Sequence, residues 1–559
     1  MRTPQEVWKD FDPRAEPLEI ETIRKWTEDG CNYHEFYFTG EKYKGERARI
    51  YAIYSAPAGG KKLPGVLHIH GGGQTVCAAW LKFWNERGYA AMTYNWGGEW
   101  ENRERYALWG KLKQGNHKDA GVKLSAVRPT PRESSWYHWT LVSRRALTVL
   151  ERQKEVDPQR LGIFGISMGG TIVWSFAGTD RRVKAACAIY GVGWNSYPAS
   201  KYEKDPKAAD RDTLTWRRTM APEAYAPLIE CPVLFLSGTN DFHGTMDWAY
   251  ETFAAMKAPW RAAFTPLYNH HVAEEQGRNL PLWMDWHLRG GKAFPETPEA
   301  KVSLDADGVP MLTVRPDLSQ GVKRVEVFYA VENCDPKNRY WRPAAARKKG
   351  DAWAATLPIL DVRQRLFAFA QVHYEAGMCL AGNFEAVIPA DLGNARATDK
   401  PSLAIGDFSK GLDGFHTTST GTDPVVFYKG LVRAKGPDGR FGVRTNGPPV
   451  MTRKLADPKW RGPDGSKLAF DVYAPQDVTL KIMLKSHEFN PGGKYYEAGL
   501  SLKAREGWQK VRLEAGQFKP KKGQALKRWR EMETLEISAE GGWPKQRPIF
   551  ADFRWVKAR

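Results

Sequence analysis

The segment LGIFGISMGGTIVWSFAG, residues 161–178, places a serine between two patterns of different period. A short apolar run typical of a buried strand ends in Gly165-Ile166-Ser167-Met168-Gly169-Gly170, and an apolar, helix-compatible run follows directly. Small residues two positions before and two after Ser167 allow the backbones to approach closely, as a tight strand-to-helix turn requires. Such a turn lifts the hydroxyl out of the sheet and points the Met168 N–H at the same space. The pattern predicts a nucleophilic Ser167, with an ordinary strand-turn-helix as the alternative.

A serine hydroxyl is a weak nucleophile and needs a base and an orienting acid. The predicted strand VLFLSG (233–238) leads to Asp241, at the sheet edge where parallel strands deliver catalytic groups. The next strand, AFTPLY (263–268), leads to Asn269-His270-His271. We favour His270 as the base, because Asn269 tolerates a left-handed turn that would present the following residue, and His271 is the alternative. Without catalysis, Asp241 would be a turn or helix cap, and the two histidines would be surface residues.

Acyl transfer also needs N–H donors for the developing oxyanion. The Met168 N–H is one candidate, and the glycine-rich loop after the strand GVLHIH (65–70) offers Gly73 and Gln74. A glycine-rich loop after a strand can also hold phosphate, but the sequence contains neither the G-K-[ST] nor the G-x-G-x-x-G signature at this loop. We therefore expect an oxyanion hole, and nucleotide binding is disfavoured.

The order of predicted elements divides the chain into three parts. Strands and helices alternate through the first part, which predicts a mostly parallel sheet covered by helices on both faces. Short strands without helical periodicity follow in the other two, which predicts all-β sandwiches, immunoglobulin-like and then a galactose-binding-like jelly roll. The expected domains are 1–297, with an N-terminal extension at 1–44, then 298–392 and 402–559.

A long irregular stretch separates the strand ending near Asn95 from the helix that begins near Thr140. Long structureless loops inside compact domains are usually functional, and aromatic rings stack on the apolar faces of sugars. We expect substrate contacts from this stretch and from the two residues that follow Asp241. The predicted substrate-binding residues are Trp96, Trp100, Trp136, His138, Phe242 and His243. The alternative is a satellite hydrophobic cluster, because large aromatic residues mostly pack.

Composition limits the classes of function. The 559 residues carry 83 Lys and Arg against 64 Asp and Glu, a net charge of +19, and the basic residues are spread rather than clustered. Attraction to acidic polymers follows, and we expect no nucleic-acid partner. The six cysteines form no C-x-x-C pair, which excludes a dense zinc site, although Cys334 and Cys379 could pair in an exported protein.

Segment length and the N-terminus bear on location. No apolar run is long enough for a membrane span, and the N-terminus lacks the basic-then-apolar pattern of a secretory signal. We expect a secreted or periplasmic protein whose signal peptide is absent from this sequence, with a cytoplasmic location as the alternative. The oligomeric state stays open.

The combination of His70–Gly73, Gly165–Gly169, Asp241 and His270 resembles the α/β-hydrolase superfamily. Finer segments, among them Val156–Arg160 before the serine strand and Gly238–Asp241, resemble its dienelactone hydrolase and acetyl xylan esterase-like branch. The resemblance covers residues 45–290 and implies ester hydrolysis through an acyl-serine, with no metal or organic cofactor.

We therefore expect a serine esterase that deacetylates a polysaccharide or oligosaccharide, with an acidic glycan as one option. The sequence leaves two alternatives open: a peptidase or lactone hydrolase that uses the same three residues, and a catalytically silent glycan-binding protein.

Overall fold

Ser167 follows an interior strand of a mixed sheet. The computed structural model describes residues 1–43, 45–100, 103–202, 209–417 and 430–557. The strands of this sheet are β1 (Glu21–Glu28), β2 (Cys31–Tyr43), β3 (Glu46–Pro57), β4 (Leu63–Ile69), β5 (Ala90–Tyr94), β6 (Val156–Ile166), β7 (Val183–Ile189), β8 (Val233–Gly238) and β9 (Trp260–Thr265). Their spatial order is β1-β2-β3-β5-β4-β6-β7-β8-β9. Strands β4 to β9 pair in parallel, and β1 to β3 form an antiparallel edge.

Helices cover both faces of this sheet. They are α1 (Pro4–Trp8), α2 (Ala78–Asn85), α3 (Ser135–Glu151), α4 (Met168–Ala177), α5 (Arg211–Thr219), α6 (Met246–Ala255), α7 (Glu274–Gly277) and α8 (Asn279–Arg289). Helices α3 and α4 share one core, with Trp139 and Trp174, and α2 and α8 share the other, with Trp84 and Trp283. The parallel strands are buried almost throughout, as continuous apolar strands between two helical layers must be. The predicted α/β class is confirmed.

Residues 1–43 belong to the α/β domain and do not form a loose extension. Strands β1 and β2 extend the sheet at its antiparallel edge. Arg145 of α3 binds the segment that precedes β1 and also strand β2. Its buried guanidinium donates to the carbonyls of Pro13, Glu16, Pro17 and Thr39 at 2.7–3.0 Å. The sequence did not indicate this hairpin, because its strands β1 and β2 alternate weakly and carry many polar residues.

Two antiparallel sheets follow the α/β domain. Their strands are β10 (Glu299–Leu304), β11 (Pro310–Arg315), β12 (Val322–Val331), β13 (Arg342–Ala344), β14 (Arg347–Lys349), β15 (Ala352–Thr356), β16 (Leu366–Tyr374), β17 (Cys379–Ala381) and β18 (Glu385–Val387). The orders are β10-β11-β15-β14 and β13-β12-β16-β17, with β18 also on β16. Gln371 of β16 docks on the edge strand β9, since its amide accepts from Phe264 N–H (3.1 Å) and donates to Phe264 C=O (2.6 Å).

The last part of the chain forms two further antiparallel sheets around a core of its own. Their strands are β19 (Ala404–Gly406), β20 (Phe415–His416), β21 (Leu431–Lys435), β22 (Phe441–Thr445), β23 (Val450–Thr452), β24 (Ser466–Tyr473), β25 (Val478–Ser486), β26 (Lys494–Leu502), β27 (Gln509–Leu513), β28 (Thr534–Ala539) and β29 (Ile549–Lys557). The orders are β21-β22-β29-β24-β27, with β19 on β29, and β20-β23-β28-β25-β26. The antiparallel sheets are as predicted, whereas the immunoglobulin-like and jelly-roll types and the domain boundaries stay predictions.

Two smaller expectations concern cysteines and membranes. Cys334 Sγ lies 3.6 Å from the Glu332 carbonyl and Cys379 Sγ lies 3.7 Å from His373 Nε2, so the suggested disulfide between them is wrong. Across the described ranges, no helix combines the length and apolar character needed to cross a bilayer.

Candidate active site

The turn between β6 and α4 holds Ser167 in a left-handed backbone conformation, with φ 57° and ψ −119°. Its neighbours have no room for side chains. A Cβ on Gly165 would lie 2.2 Å from the Gly169 carbonyl oxygen, and one on Gly169 would lie 2.1 Å from the Ile69 carbonyl oxygen. Both distances are far below van der Waals contact, so the glycines predicted from the sequence are needed for this close backbone approach.

Ser167, His270 and Asp241 form a continuous hydrogen-bonded chain. The Ser167 hydroxyl donates to His270 Nε2 at 2.9 Å, and His270 Nδ1–H donates to Asp241 Oδ2 at 2.8 Å. An ionised carboxylate accepts and does not donate, which fixes the imidazole tautomer with its free lone pair toward the serine. This is the arrangement a base needs in order to take the serine proton.

Asp241 is fully buried after β8, at the start of the loop to α6. Its Oδ1 accepts from the backbone N–H groups of His243 (2.7 Å) and Gly244 (2.5 Å). Burial alone would raise the pKa of this carboxyl, but the imidazoles of His270 and His243 and the Gly244 amide outweigh it, and the pKa is lowered. Asp241 therefore stays ionised at neutral pH and orients His270.

The structure distinguishes the two adjacent histidines, because it is His270 that contacts Ser167. His270 packs between Tyr190 and Phe242, at ring-centroid distances of 4.3 and 4.6 Å, whereas the buried His271 ring lies against Tyr268. The left-handed residue is His270 itself, with φ 46°, and not Asn269 as we expected. Asn269 contributes instead through its side-chain oxygen, which accepts from Phe242 N–H at 3.0 Å.

The loop after β4 lies beside Met168 but differs in detail from the prediction. The Gln74 N–H already donates to the Gly71 carbonyl (3.2 Å), and the Gln74 side chain accepts from Gly71 N–H (2.8 Å), so Gln74 fixes the turn. Gly72 packs against the Met168 side chain, since a Cβ there would lie 2.4 Å from Met168 Sδ. Gly73 has φ 67°, and its carbonyl accepts from Arg103.

The loop residue His70 has a structural role. Its Nδ1 donates to the Gly71 carbonyl at 2.7 Å, its Nε2 accepts from Trp96 N–H at 3.2 Å, and its ring stacks on the Trp96 indole at 4.8 Å. Burial lowers the pKa of His70 to about 3, so the ring stays neutral and keeps this hydrogen-bond pattern.

A cavity of about 670 Å³ opens over Ser167 and His270. Its walls are mainly apolar, from Trp80, Phe83, Ile189, Leu236, Val272 and Leu280. Its outer part carries charged side chains, from Glu86, Arg87, Glu274 and Arg278. Enclosed apolar volume with few polar groups is typical of a site for a small molecule or a substrate side group.

Most of the predicted substrate-binding residues lie away from this cavity. Trp96, Trp136 and His138 are buried in the core on the α3 side, and the packing alternative therefore describes them correctly. Trp100 is partly exposed but covers Gly73, and His243 is half-buried with its Nε2 3.2 Å from Thr171 Oγ1. Phe242 does line the cavity.

Residues from the β-domains also contact the site, and no sequence pattern indicated them. The Asn240 amide, next to Asp241, donates to the carbonyls of Pro336, Lys337 and Arg339 at 2.7–3.3 Å. Phe489, in the loop between β25 and β26, stacks on Phe242 with ring centroids 5.3 Å apart. These contacts join elements about 100 and 250 positions apart along the chain, which local patterns cannot reveal.

Among the described residues, no cluster of His, Cys, Asp and Glu has the arrangement of a metal site. The site brings a serine, a histidine and a carboxylate together at one end of a parallel sheet. This combination of fold and geometry defines the α/β-hydrolase class.

Comparison with known proteins narrows the class. Residues 87–271 match the dienelactone hydrolase family, and antiparallel β-sheets follow this matched part of the chain. Dipeptidyl-peptidase 5 of Porphyromonas endodontalis is 24% identical over 270 residues, which are 44% of this chain and 35% of that protein. The uncharacterized peptidase YuxL of Bacillus subtilis is 28% identical over 117 residues, which are 19% of this chain and 18% of that protein.

Both matches span well under two thirds of those relatives. Among solved structures, the acetyl xylan esterase from Paenibacillus sp. R4 aligns with a TM-score of 0.39 and 19% identity, over 49% of this chain and 91% of that one.

Proposed function

We propose that the protein is a serine carboxylic-ester hydrolase. The observation that carries the proposal is the unbroken hydrogen-bonded chain from Ser167 through His270 to Asp241 at an apolar cavity. Each of the three residues is also held by a second contact. The tight turn between β6 and α4 holds Ser167, two flanking rings hold His270, and two backbone amides hold Asp241. Pre-positioned groups of this kind supply a large part of enzymatic rate enhancement.

The geometry leads to a two-step reaction. Ser167 Oγ attacks the ester carbonyl carbon as its proton passes to His270 Nε2, and Asp241 stabilises the imidazolium. The carbon–oxygen bond to the alcohol then breaks, and His270 returns the proton to the departing oxygen. Water, deprotonated by His270, attacks the acyl-serine, which releases the acid and restores the Ser167 hydroxyl. The Met168 N–H and the Gly72–Gly73 backbone would hold the oxyanion, and loss of one such donor costs about 3 kcal/mol of barrier.

We further propose that the substrate is an ester of a sugar, as in an acylated polysaccharide or oligosaccharide. Acetate is the simplest acyl group, but a cavity of about 670 Å³ also accepts much larger ones. The net charge of +19 favours glycans that carry acidic groups.

The test is Ser167→Ala, assayed with p-nitrophenyl acetate and by fluorophosphonate labelling. We expect loss of turnover and of labelling with an unchanged melting temperature, because Ser167 makes its contacts at the surface of the cavity. Ser319→Ala, an exposed serine in the second domain, is the matched control and should retain both. Full activity in Ser167→Ala would refute the proposal, and a wild-type protein that does not label would favour a silent glycan-binding protein.

A peptidase is the second candidate, because both relatives in sequence, YuxL and dipeptidyl-peptidase 5, are named as peptidases. The same three residues can cleave amides, with His270 protonating an amine instead of an alcohol. Parallel assays with dipeptidyl p-nitroanilides, lactones and acetylated xylo-oligosaccharides decide between these reactions. A higher kcat/KM on the p-nitroanilides than on every ester would replace the esterase proposal with the peptidase.

A further inference from the structure

Two aromatic side chains from different domains form one exposed surface at the cavity mouth. Phe242 follows Asp241 in the α/β domain, and Phe489 lies in the β25–β26 loop of the last domain. Each side chain is 44% exposed, although their rings stack with centroids 5.3 Å apart and planes at 23°. Most large hydrophobic residues of the chain are buried, so two exposed rings in contact beside a nucleophile call for a functional reason.

The loop that presents Phe489 is under backbone strain. His487 and Phe489 both have left-handed conformations, with φ 51° and 65°. This region costs a non-glycine residue roughly 1–2 kcal/mol, and such residues concentrate at binding and catalytic sites. A loop with no function at this position would be free to place its phenylalanine in a relaxed conformation.

Buried polar contacts hold this strained loop against the second domain. Asn490 donates to Asp335 Oδ2 at 2.6 Å and accepts from Lys337, so the loop is tied to the same segment that binds Asn240. On the other side of Phe489, the Glu488 carboxylate accepts from Lys485 at 2.8 Å. The position of Phe489 relative to the catalytic loop is therefore fixed from both sides.

His270 relates the Phe242–Phe489 surface to the departing alcohol of the proposed reaction. Phe242 contacts the His270 ring at 4.6 Å, and His270 must deliver its proton to the oxygen of the departing alcohol. The alcohol part of the ester is therefore next to His270 and within reach of these two rings. The Phe242 ring also packs against the imidazoles of His270 and His243, at centroid distances of 4.6 and 6.2 Å. The flat apolar face offered to a pyranose ring is therefore mainly that of Phe489.

We propose that Phe242 and Phe489 form a binding subsite for the sugar ring on the alcohol side of the ester, so that the last domain completes the active site. The inference rests on the proposed ester hydrolysis and names the side of the substrate that the β-domain recognises. It assigns Phe489 to substrate selection.

The test compares three acetate esters in Phe489→Ala: a monoacetylated methyl glucoside, phenyl acetate and ethyl acetate. Loss of one stacking partner should lower kcat/KM for the sugar acetate roughly three- to tenfold. Ethyl acetate, which has no ring, should be hydrolysed at the wild-type rate. Phe489→Trp should restore most of the activity toward the sugar acetate, because the indole also offers a flat face. Tyr495→Ala, an equally exposed aromatic of the same domain, is the matched control.

Deacylation separates a substrate subsite from a structural role. All three esters give the same acetyl-Ser167, from which the alcohol has already left. Phe489→Ala should therefore leave the slow phase after a p-nitrophenyl acetate burst unchanged. A slower deacylation, or an equal loss on ethyl acetate, would overturn the subsite and assign Phe489 to positioning His270. A loss confined to phenyl acetate would overturn the sugar assignment. These outcomes all require an active wild-type enzyme, whereas failure of the proposed function would leave Ser167→Ala equal to wild type.

Discussion

Two residues of the candidate triad, Ser167 and His270, have left-handed backbones, which non-glycine residues rarely adopt. The surrounding structure holds both. Ser167 N–H donates to Ile189 C=O at 2.8 Å, and the His270 side chain is bonded at both ring nitrogens. The strain is located where the reacting atoms must project from the end of the sheet, as expected when packing elsewhere stabilises an unfavourable local conformation.

Gly169→Ala should destabilise the fold and abolish activity. The added Cβ would lie 2.1 Å from the Ile69 carbonyl oxygen and 2.6 Å from that of His70, and these backbone atoms cannot move aside as a flexible side chain could. We expect a loss of about 2–3 kcal/mol or more in the free energy of unfolding, measured by chemical denaturation. Gly499→Ala, where nothing lies within 4 Å of the new Cβ, is the control and should be neutral or stabilising. Wild-type stability in Gly169→Ala would contradict the close backbone approach at the turn between β6 and α4.

Glu223 should make stability depend on pH. Burial raises its pKa from 4.5 to about 7, against the lowering effects of the Trp194 amide, which donates at 3.0 Å, and of Arg217. Between these values the unfolded chain has lost the proton that the folded chain keeps, so stability falls as pH rises through this range. Glu223→Gln should match wild type near pH 4, where both states are protonated, and exceed it at about pH 8, by up to about 3 kcal/mol.

Calorimetric melting temperatures at the two pH values provide the measurement, and exposed Glu540→Gln is the control. An equal difference between variant and wild type at both pH values would show that titration of Glu223 is not the cause.

At this scale, order along the chain predicted the three residues that meet, because parallel strands bring their carboxyl ends to one edge. It favoured His270 over His271 through a left-handed turn at Asn269, whereas the left-handed residue is His270 itself. Such backbone angles depend on packing and cannot be read from neighbouring residue types. It also placed Trp96 and Trp136 in the substrate site. Composition shows that a segment is aromatic, but the direction in which each ring points is decided by packing.

At the scale of the elements, the β8–α6 loop carries Asp241, and residues of the second domain bind both this loop and helix α6. Arg339, fully buried, makes a bidentate ion pair with Asp247 of α6 at 2.7 and 3.0 Å, and its guanidinium lies 3.5 Å from the Phe367 ring centroid. The backbone carbonyls of Pro336 and Arg339 accept hydrogen bonds from the Asn240 side-chain amide. The acid of the triad is thus held from a domain that contributes no reacting group.

Arg339→Ala should destabilise the protein by about 3–5 kcal/mol, since Asp247 would remain as a buried unpaired charge. The double variant Arg339→Met, Asp247→Leu should recover much of that loss, because it removes both charges from the apolar interior. Arg363→Ala, which breaks an exposed pair with Asp361, is the control and should change the free energy of unfolding by less than about 1 kcal/mol. Denaturant titrations measure all three, and equal losses for Arg339→Ala and Arg363→Ala would contradict this role of the buried ion pair.

Periodicity predicted the elements that are strongly apolar, such as β4 to β9, because burial on both faces leaves a continuous signal. It missed β1 and β2, whose exposed edge position requires little apolar surface. It also indicated that the C-terminal strands exist without showing how they pair, since antiparallel register depends on turns and distant contacts.

On the scale of the whole molecule, all three parts of the chain contribute residues at or next to the candidate active site. Apolar residues of the second domain, including Phe367 and Phe369, belong to the same core as α3 and α4, and the last domain reaches the cavity mouth through Phe489. The sequence predicted three successive domains but not the contacts between them, because local patterns indicate strands and linkers and not which surfaces pack together.

The net charge of +19 should make catalysis on acidic glycans depend on salt. A basic surface raises the local concentration of a polyanion, and added salt screens this attraction over a Debye length that shrinks to about 8 Å at physiological ionic strength. For a partially acetylated polyuronate we expect kcat/KM to fall roughly threefold or more between about 0.02 and 0.3 M sodium chloride. Acetylated xylo-oligosaccharide, which is neutral, is the matched control and should show little change, because it makes no long-range attraction for salt to screen. Parallel dependence of the two substrates on salt would show that the charge serves another purpose, and the acidic-glycan proposal would then fail while ester hydrolysis at Ser167 would stand.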